Sequence, residues 1–360
     1  MKDILIFCPS IEYGGVEKNL FIIKNYISKK INVSIITANN NHKKKFSKKI
    51  NFFTPEKNFN NASRFIKNII SIILFFKNFK KKDVIILSFQ ANITAIILAK
   101  IFKKKIIIRS NTSPEKFAQN FWKKYIFKFF FKYADVIVVN SINFKKQIKT
   151  FFNLNSICIY NSLENKIIKK QKNVFFKKRT LKIISIGRLT DQKDHLTLIK
   201  AFRIVSEKID SRLMIIGRGE KLNQLKNYVR EYDLKNKVNF FGYSNNPEAL
   251  LKNADLFILT SKYEGLPNVL IEAQNLNIPI ISSNCPTGPS EILLSGKLGQ
   301  LFTVGDYQAL SKKIVEFNNN KKKFLKKSKL AKKFLNRFNP IKNCSKYLDI
   351  IMKLSNAQKT

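Results

Sequence analysis

Short apolar runs alternate with helix-length amphipathic segments along the whole chain. Each run is short, is rich in Ile, Val, Leu and Phe, and ends at polar or turn residues, as buried strands do. In the first half these predicted strands are Ile4–Cys8, Val33–Thr37, Val84–Ser88, Ile106–Arg109, Val136–Asn140 and Ser156–Tyr160. In the second half they are Leu181–Ile186, Arg212–Gly217, Val238–Phe241, Leu256–Thr260, Pro279–Ser282 and Gln300–Phe302. Apolar strands separated by crossover helices predict parallel sheets with helices on both faces.

One polar and basic stretch, residues 163–180, interrupts this alternation and is the predicted linker. We therefore expect an α/β protein with two doubly wound, Rossmann-like domains, residues 1–162 and 181–340. A last helical pattern, residues 341–360, can pack on either domain, and packing back on the first is our expectation. Because ligands bind such sheets at the carboxyl ends of the strands, two facing domains would leave a ligand-binding cleft.

The charge of the chain is strongly positive. Its 68 basic and 23 acidic residues give a net charge of +45, divided as +23 in residues 1–160 and +22 in the remainder. An even spread argues against a basic tail on a neutral domain. It indicates either a compositional bias at every surface position or attraction to an anionic partner, a membrane or nucleic acid. A hydrophobic content of 44% excludes general disorder.

Cysteine and histidine usage argues against metal centres and disulfides. The cysteines Cys8, Cys158, Cys285 and Cys344 are scattered and the chain has only two histidines, so we expect no resident metal or cofactor and a reducing cytosol. The N-terminal apolar run is too short for a signal peptide. No apolar stretch is long enough to span a bilayer. We expect a cytoplasmic protein, soluble or peripheral at the inner face of the cell membrane.

Two carboxylates, Glu264 and Glu272, flank a predicted helix start. Gly265 lets the backbone approach a ligand, and Pro267 suits the first turn of a helix. The positive end of the helix dipole would face an anion there. The N–H groups expected to point at that anion belong to Asn268, Val269 and Leu270. A phosphate flanked by two hydroxyl-bearing rings satisfies this arrangement, and a nucleotide-sugar has that layout.

Two cations, Arg188 and Lys193, follow the first strand of the second domain. Such a pair at a strand end can clamp the two phosphates of one diphosphate. Two ordinary surface cations are the alternative interpretation. After the first strand of the chain, Gly14 and Gly15 could bring backbone N–H groups to a phosphate, although a tight turn is an equally simple interpretation.

Together these residues resemble the retaining glycosyltransferases of family 4, which have the two-domain GT-B fold. The family's paired-glutamate motif corresponds to Glu264 and Glu272, and the match is densest over residues 187–294. The resemblance implies that Glu264 contacts the donor sugar and Glu272 the ribose. It also implies that Arg188 and Lys193 bind the diphosphate of a UDP-sugar. The other implied donor-site residues are Gly15, Gly265, Leu266, Asn268, Val269 and Leu270.

The stretch from Ser283 to Leu293 is similar to a signature of relatives that transfer hexoses or N-acetylhexosamines. Those relatives extend lipid-linked oligosaccharides and surface polysaccharides, including lipopolysaccharide, so the resemblance implies a lipid-linked acceptor. A Pro/Gly turn before a helix is the alternative interpretation of the same stretch.

The acceptor side departs from the family pattern. Many members carry a histidine there, whereas His42 lies in a polar loop and His195 starts a helix. Arg109 and Asn111, at the end of a strand, are our predicted acceptor residues instead. Retaining members are thought to use front-face displacement, in which the leaving phosphate accepts the acceptor's proton. Because no Asp-x-Asp motif occurs in the chain, we expect metal-independent turnover.

Two aromatic stripes in the first domain are interleaved with lysine. They are Phe65, Ile69, Ile72, Ile73, Phe76 and Phe79, and then Phe117, Phe121, Tyr125, Phe129 and Tyr133. Basic amphipathic helices can lie in a membrane interface, and each cation near an anionic leaflet adds roughly 1 kcal/mol. An aromatic stripe at helical spacing is also typical of a face that packs into the core.

Two other classes of function remain as alternatives. A nucleotide-sugar epimerase of the same fold would need positioned acid and base carboxylates, and the paired-glutamate motif argues against it. A nucleic-acid-binding protein would show basic and aromatic residues on one face or a recognisable module. The charge here is spread evenly, so no nucleic-acid partner is expected.

Overall fold

The computed structural model describes residues 2–12, 14–39, 51–111, 115, 120–164, 168–169 and 175–357. His42, Phe117, residues 165–167 and 170–174 of the predicted linker, and residues 358–360 lie outside the described residues. The chain divides into two compact units, Met1–Glu164 with Phe338–Thr360, and Asn165–Arg337.

The first unit contains a seven-stranded parallel sheet in the order β3-β2-β1-β4-β5-β6-β7. Its strands are β1 Asp3–Phe7, β2 Val33–Ile36, β3 Asn51–Phe53, β4 Val84–Ser88, β5 Ile106–Ser110, β6 Val136–Val139 and β7 Ile157–Cys158. Six of them match predicted strands. The sequence did not predict β3, because three half-exposed residues at a sheet edge leave no apolar run to detect.

Helices cover both faces of this sheet because alternate strand residues point to opposite sides. The helices are α1 Gly15–Ile27, α2 Arg64–Phe79, α3 Asn92–Ile101, α4 Phe121–Phe131, α5 Ile142–Phe152 and a C-terminal helix, Pro340–Asn356. On one face, Ile4 and Ile6 pack with α1 and the C-terminal helix, which therefore belongs to the first unit. On the other face, Leu5 and Phe7 pack with α2 to α5.

The second unit contains a six-stranded parallel sheet in the order β10-β9-β8-β11-β12-β13. Its strands are β8 Leu181–Ile186, β9 Ser211–Ile216, β10 Val238–Gly242, β11 Leu256–Leu259, β12 Ile280–Ser283 and β13 Gln300–Phe302. Its helices are α6 His195–Ser206, α7 Leu222–Glu231, α8 Pro247–Leu251, α9 Asn268–Asn275, α10 Pro289–Ile292, α11 Tyr307–Asn319 and α12 Lys321–Lys333, followed by a 3₁₀ turn, Leu335–Phe338.

Both sheets place the first strand of the unit beside the fourth, so that the chain winds outward in both directions from this point. This arrangement confirms the predicted doubly wound α/β architecture of each domain. The crevice at such a switch point is where open α/β sheets bind ligands. It lies between β1 and β4 in the first domain and between β8 and β11 in the second. No helix in the described part of the chain is long and apolar enough to cross a bilayer.

Candidate functional site

The switch point of the second domain brings together residues that are far apart in sequence. Lys193 Nζ donates to Glu264 Oε1, and Ser261 Oγ donates to the same oxygen at 2.6 Å. The Glu264 side chain is 8% exposed and the Lys193 side chain is 16% exposed. The structure therefore pairs two of the predicted site residues and fixes the Glu264 carboxylate by two donors.

The loop after β8 is joined to the loop after β11 by backbone as well as side-chain contacts. Thr260 Oγ1 donates to the Lys193 carbonyl oxygen at 2.9 Å. Gln192 Nε2 donates to the Tyr263 carbonyl oxygen at 3.0 Å, and the Lys262 N–H donates to the Gln192 carbonyl oxygen at 2.8 Å. These bonds hold Lys193 at the carboxyl end of the sheet instead of leaving it on a mobile turn.

Glycine at position 187 makes room for the lysine stem. A Cβ atom there would lie 3.3 Å from both Cγ and Cδ of Lys193, which is tight for two aliphatic carbons. The lysine stem thus passes directly over the first residue after β8. This contact explains why the cation comes back towards the strand end although it is six residues further along the chain.

The segment after β12 supports the Glu264 loop from the other side, which the sequence did not predict. Thr287 Oγ1 donates to the Glu264 carbonyl oxygen, and Ser283 Oγ donates to the Ser261 carbonyl oxygen at 2.6 Å. Gly288 has φ +90°, and a Cβ there would lie 2.5 Å from the Gly265 carbonyl oxygen. The stretch from Ser283 to Gly288 is therefore a support for the site. The signal for it was its place after β12, the neighbour of β11.

The other predicted donor residues lie on the same loop and helix. Asn268 and Val269 begin α9, with Pro267 as its extended N-cap residue, and Leu266 and Glu272 are buried. The Leu270 N–H donates to the Pro267 carbonyl oxygen at 3.1 Å. Our prediction that this N–H is available to an anion is therefore wrong, because the first turn closes tightly on itself.

Arg188, the second predicted cation, directly follows Gly187 at the end of β8. Its side chain is exposed, and among the described residues it has no hydrogen-bond or ion-pair partner. A guanidinium in this position is ready to bind an anion in front of the sheet. The site thus combines one exposed cation with one that is anchored by a carboxylate.

Two titratable groups beside the pair are uncharged at neutral pH. Burial, and then the nearby Lys193 charge, lower the pKa of His195 to about 3. Burial, and then the Glu264 carboxylate, raise the pKa of the Cys285 thiol to about 12. The neutral imidazole at the start of α6 therefore adds no charge to the site at neutral pH, and the cations offered to an anion are Lys193 and Arg188.

The glycine loop of the first domain forms the start of α1, and the phosphate-binding role of Gly15 stays a prediction. Gly15 is the first residue of α1, and Gly14 is its N-cap. A Cβ atom at Gly14 would lie 2.8 Å from Glu17 Oε2, so the Glu17 carboxylate occupies the space beside this helix start. A carboxylate at the third helical position is a favourable partner for the N-terminal dipole. A phosphate would have to compete with it.

The two predicted acceptor residues form part of a buried network. Arg109 donates from Nε to Asn111 Oδ1 at 3.1 Å, from Nη1 to the Tyr347 hydroxyl at 3.0 Å, and from Nη2 to Asn161 Oδ1. Its guanidinium also lies 5.5 Å from the centre of the Phe89 ring. In this conformation Arg109 joins the C-terminal helix to the sheet, and its acceptor role stays a prediction.

Comparisons with known proteins fit this geometry. Residues 166–334, slightly under half of the chain, match the family model described as glycosyl transferases group 1. This range contains both loops of the Lys193–Glu264 pair. The chain is 18% identical to the crystal structure of Anabaena HepE in complex with UDP-glucose, with a TM-score of 0.82 over 98% of this chain and 100% of that one. Together with the two parallel sheets, this similarity shows the GT-B fold.

Sequence relatives point in the same direction. An uncharacterized glycosyltransferase of Methanocaldococcus jannaschii is 36% identical over 254 residues, which are 64% of this chain and 62% of that protein. The amylovoran biosynthesis glycosyltransferase AmsD of Erwinia amylovora is 29% identical over 62% of this chain, and this match spans 65% of the relative's length. The matches to these two relatives thus cover slightly less than two thirds of each.

A third relative matches almost end to end. It is the N-acetylgalactosamine-N,N'-diacetylbacillosaminyl-diphospho-undecaprenol 4-alpha-N-acetylgalactosaminyltransferase of Campylobacter jejuni, 26% identical over 97% of this chain and 100% of that protein. All three relatives are named as glycosyltransferases, so the sequence similarity and the GT-B fold support this class of activity. The family that the second domain resembles is glycosyl transferases group 1.

Proposed function

We propose that the protein is a retaining, metal-independent glycosyltransferase of family 4. It moves a hexose or N-acetylhexosamine from a UDP-sugar to a lipid-linked glycan during surface polysaccharide synthesis. The observation that carries the proposal is the Lys193–Glu264 pair beside the exposed Arg188, at the switch point of the domain that matches the group 1 family.

Each group has a role that its chemistry supports. Arg188 and Lys193 bind the donor diphosphate, because a guanidinium and an ammonium are the side chains that pair best with phosphate oxygens. The positive end of α9 adds to their field. Glu264 accepts hydrogen bonds from the hydroxyl groups of the sugar, and Glu272 from those of the ribose.

The reaction breaks the bond between the anomeric carbon and the diphosphate oxygen. The bonding electrons stay on the diphosphate, and Arg188 and Lys193 stabilise the negative charge that develops there. The acceptor hydroxyl attacks from the same face, its oxygen bonds to the anomeric carbon, and its proton passes to the departing phosphate oxygen. The configuration at the anomeric carbon is retained, and no separate base is required.

The acceptor class rests on the relatives. The Campylobacter jejuni enzyme is named for a diphospho-undecaprenol acceptor, and an Escherichia coli relative is named for another. We infer a lipid-linked acceptor of this kind and peripheral attachment of the protein at the inner face of the cell membrane. Arg109 and Asn111 stay our predicted acceptor residues.

The test is replacement of Glu264 by alanine in the full chain. The donor is first selected by screening UDP-, GDP- and ADP-sugars for thermal stabilisation. We expect Glu264→Ala to lower kcat/KM by about 10²–10³, the range typical of a lost electrostatic contact at a reacting centre. Glu316→Ala is the matched control, because Glu316 also accepts from a lysine but lies on α11, outside the site. Full activity of Glu264→Ala would refute the site.

The product distinguishes the remaining alternatives. Retention predicts that the glycosidic bond in the product has the anomeric configuration of the donor, which proton NMR measures directly. Formation of an epimerised nucleotide-sugar in the absence of any acceptor would instead support the epimerase. Inactivation by EDTA and recovery with manganese would contradict metal independence.

A further inference from the structure

Helix α2 of the first domain exposes five of its apolar side chains to solvent. The side chains that it buries are Lys67, Ser71, Phe75 and Phe79, at a spacing of four residues. Its outward residues include Phe65, 74% exposed, and Ile73, 60% exposed. The outer face also exposes Ile66, Ile69 and Phe76. Of the predicted stripe, Phe79 is buried and Ile72 packs against the core. The core-facing interpretation therefore holds for these two residues and is wrong for the exposed members, Phe65, Ile69, Ile73 and Phe76.

Helix α4 shows the same feature more strongly. Eight of its eleven residues are apolar or aromatic, yet Phe131 is the only one of them that is buried. Trp122 is 74% exposed. The other outward apolar side chains of this helix are Phe121, Tyr125, Ile126 and Phe129. A helix in water normally buries its apolar stripe, so this composition calls for a partner.

These two helices are joined through α3 into one surface. Asn68 of α2 donates to Thr94 Oγ1 of α3 at 2.8 Å. The Phe76 ring packs edge-on against Phe102, just after α3, with ring centres 5.1 Å apart. Helix α3 packs against α4 in turn and exposes Ile97 and Ile101. All three helices cover the same face of the sheet. We call their outward side the apolar face.

The charged residues of the three helices that form the apolar face have one sign. The sequences of α2, α3 and α4 contain no Asp or Glu. Lys67 is buried, and the other cations of these helices are Arg64, Lys77, Lys100, Lys123, Lys124 and Lys128. The helices on the opposite side of the sheet are mixed in charge, since α1 carries Glu17 and the C-terminal helix carries Asp349. The helices of the apolar face thus carry cations alone, and Glu12, outside these helices, lies 3.8 Å from Arg64 at one end of the face.

We propose that the apolar face docks on the surface of an anionic phospholipid bilayer. Exposed Phe and Ile insert at the level of the acyl chains, Trp122 and Tyr125 lie at the headgroup boundary, and the lysines pair with lipid phosphates. The inference deepens the peripheral attachment proposed above by naming the surface responsible, and it is independent of the donor site. A lipid-linked acceptor in the same bilayer would make the attachment useful.

Trp122 makes the first test direct because it is the only tryptophan in the chain. The full-length protein is titrated with vesicles of phosphatidylcholine alone and with vesicles of equal parts phosphatidylcholine and phosphatidylglycerol. We expect the emission to shift to shorter wavelength with the anionic vesicles, and lipids brominated in the acyl chain to quench it. Emission that stays unchanged at saturating anionic lipid would overturn the proposal.

Substitutions then distinguish binding through the apolar face from non-specific adsorption to vesicles. The variant Phe65→Ser, Ile73→Ser, Ile101→Ser removes three strongly exposed side chains of the face and leaves Trp122 in place. The control is Ile341→Ser, Leu325→Ser, Leu330→Ser, three exposed apolar residues on other helices. In cosedimentation with anionic vesicles we expect the face variant to lose about tenfold or more in affinity, and the control no more than about twofold. Equal losses would overturn the proposal.

The cations provide a second, independent readout. Lys123→Gln with Lys124→Gln should weaken binding to anionic vesicles by about fivefold per charge, and binding to neutral vesicles should not change. UDP binding should be unchanged in all of these variants, so that failure here is distinguishable from failure of the donor site. A concentration-dependent dimer that the face variant abolishes, without vesicle binding, would overturn the proposal in favour of a second copy.

Discussion

The two domains have the same strand order but carry different chemistry at the equivalent place. Between β8 and β11, Lys193 is held by Glu264 at the edge of solvent, and Arg188 is exposed beside it. Between β1 and β4, the Ser10 N–H donates to Gln90 Oε1 at 3.1 Å, and Lys67 Nζ donates to Ser10 Oγ at 3.3 Å.

The first switch point is thus closed by the protein's own side chains. Gln90 Nε2 donates to Glu17 Oε1 at 3.2 Å, and Lys67 is buried. Glu17 also lies against the start of α1, where a bound phosphate would otherwise be favoured. Topology therefore determines where a ligand can bind, whereas the accessibility of the charges determines which domain binds an anion.

The largest expected difference follows from replacing the lysine at each switch point, Lys193 or Lys67, by methionine, which keeps the length of the stem. Lys193→Met should lower kcat/KM by about 10²–10³, because it removes a cation from the developing charge of the leaving group. Lys67→Met should leave the Kd for UDP within about twofold, because Lys67 points into the first domain. Isothermal titration calorimetry with UDP measures the second quantity.

Lys193→Arg separates the effect of charge from that of geometry, because it keeps the charge but changes the geometry around Glu264. It should recover part of the activity that Lys193→Met loses. A loss of UDP affinity in Lys67→Met as large as that in Lys193→Met would contradict the difference between the two switch points. It would show that both of them bind the nucleotide.

The positions of the paired loops followed from the sequence. Parallel sheets bring the carboxyl ends of neighbouring strands together, so Arg188 after β8 and Glu264 after β11 had to lie at one edge. Lys193 and Glu264 are separated by 71 positions in sequence, yet they meet because β8 and β11 are neighbours in the sheet.

The finer contacts did not follow from the sequence. Ser261 and Thr287 are common polar residues, and only the packing of three loops shows that they hold Glu264. The hydrogen bond of the Leu270 N–H depends on how the chain turns at Pro267, which a helix pattern does not specify. Helical periodicity likewise identified the stripe in α2, but the direction in which the stripe points depends on Lys67 and Ser71 packing inward.

A second, smaller effect is a pH dependence of stability that arises from His195 in the second domain. The pKa of His195 falls from its ordinary value of 6.5 to about 3 in the folded protein. Between pH 6.5 and about pH 3, His195 is therefore protonated in the unfolded chain but not in the folded chain. Because the unfolded state binds this extra proton, the free energy of unfolding falls as pH falls below 6.5. The stability that depends on a neutral His195 is fully present above pH 6.5. By pH 5 about 2 kcal/mol should be lost, at about 1.4 kcal/mol per pH unit.

Urea unfolding of the full chain at a series of pH values measures this effect. His195→Gln should remove the decline between pH 6.5 and 5, whatever the stability of that variant at neutral pH. Parallel curves for the two proteins would contradict a buried neutral imidazole at the start of α6. A protonated His195 would then be a third cation beside Lys193 and Arg188.

The smallest expected effect concerns the buried charge of the first domain. Tyr347→Phe removes the hydroxyl that accepts from Arg109 Nη1 at 3.0 Å and keeps the ring in the core. We expect the free energy of unfolding to fall by about 1–2 kcal/mol, because a buried donor of a charged group loses its partner. The Kd for UDP should not change. Tyr228→Phe, on the rim of the second domain's core, is the control and should cost less. If Tyr347→Phe instead lowered the rate of transfer at unchanged stability, Arg109 would belong to the acceptor site, and the first domain would also use its buried cation for function.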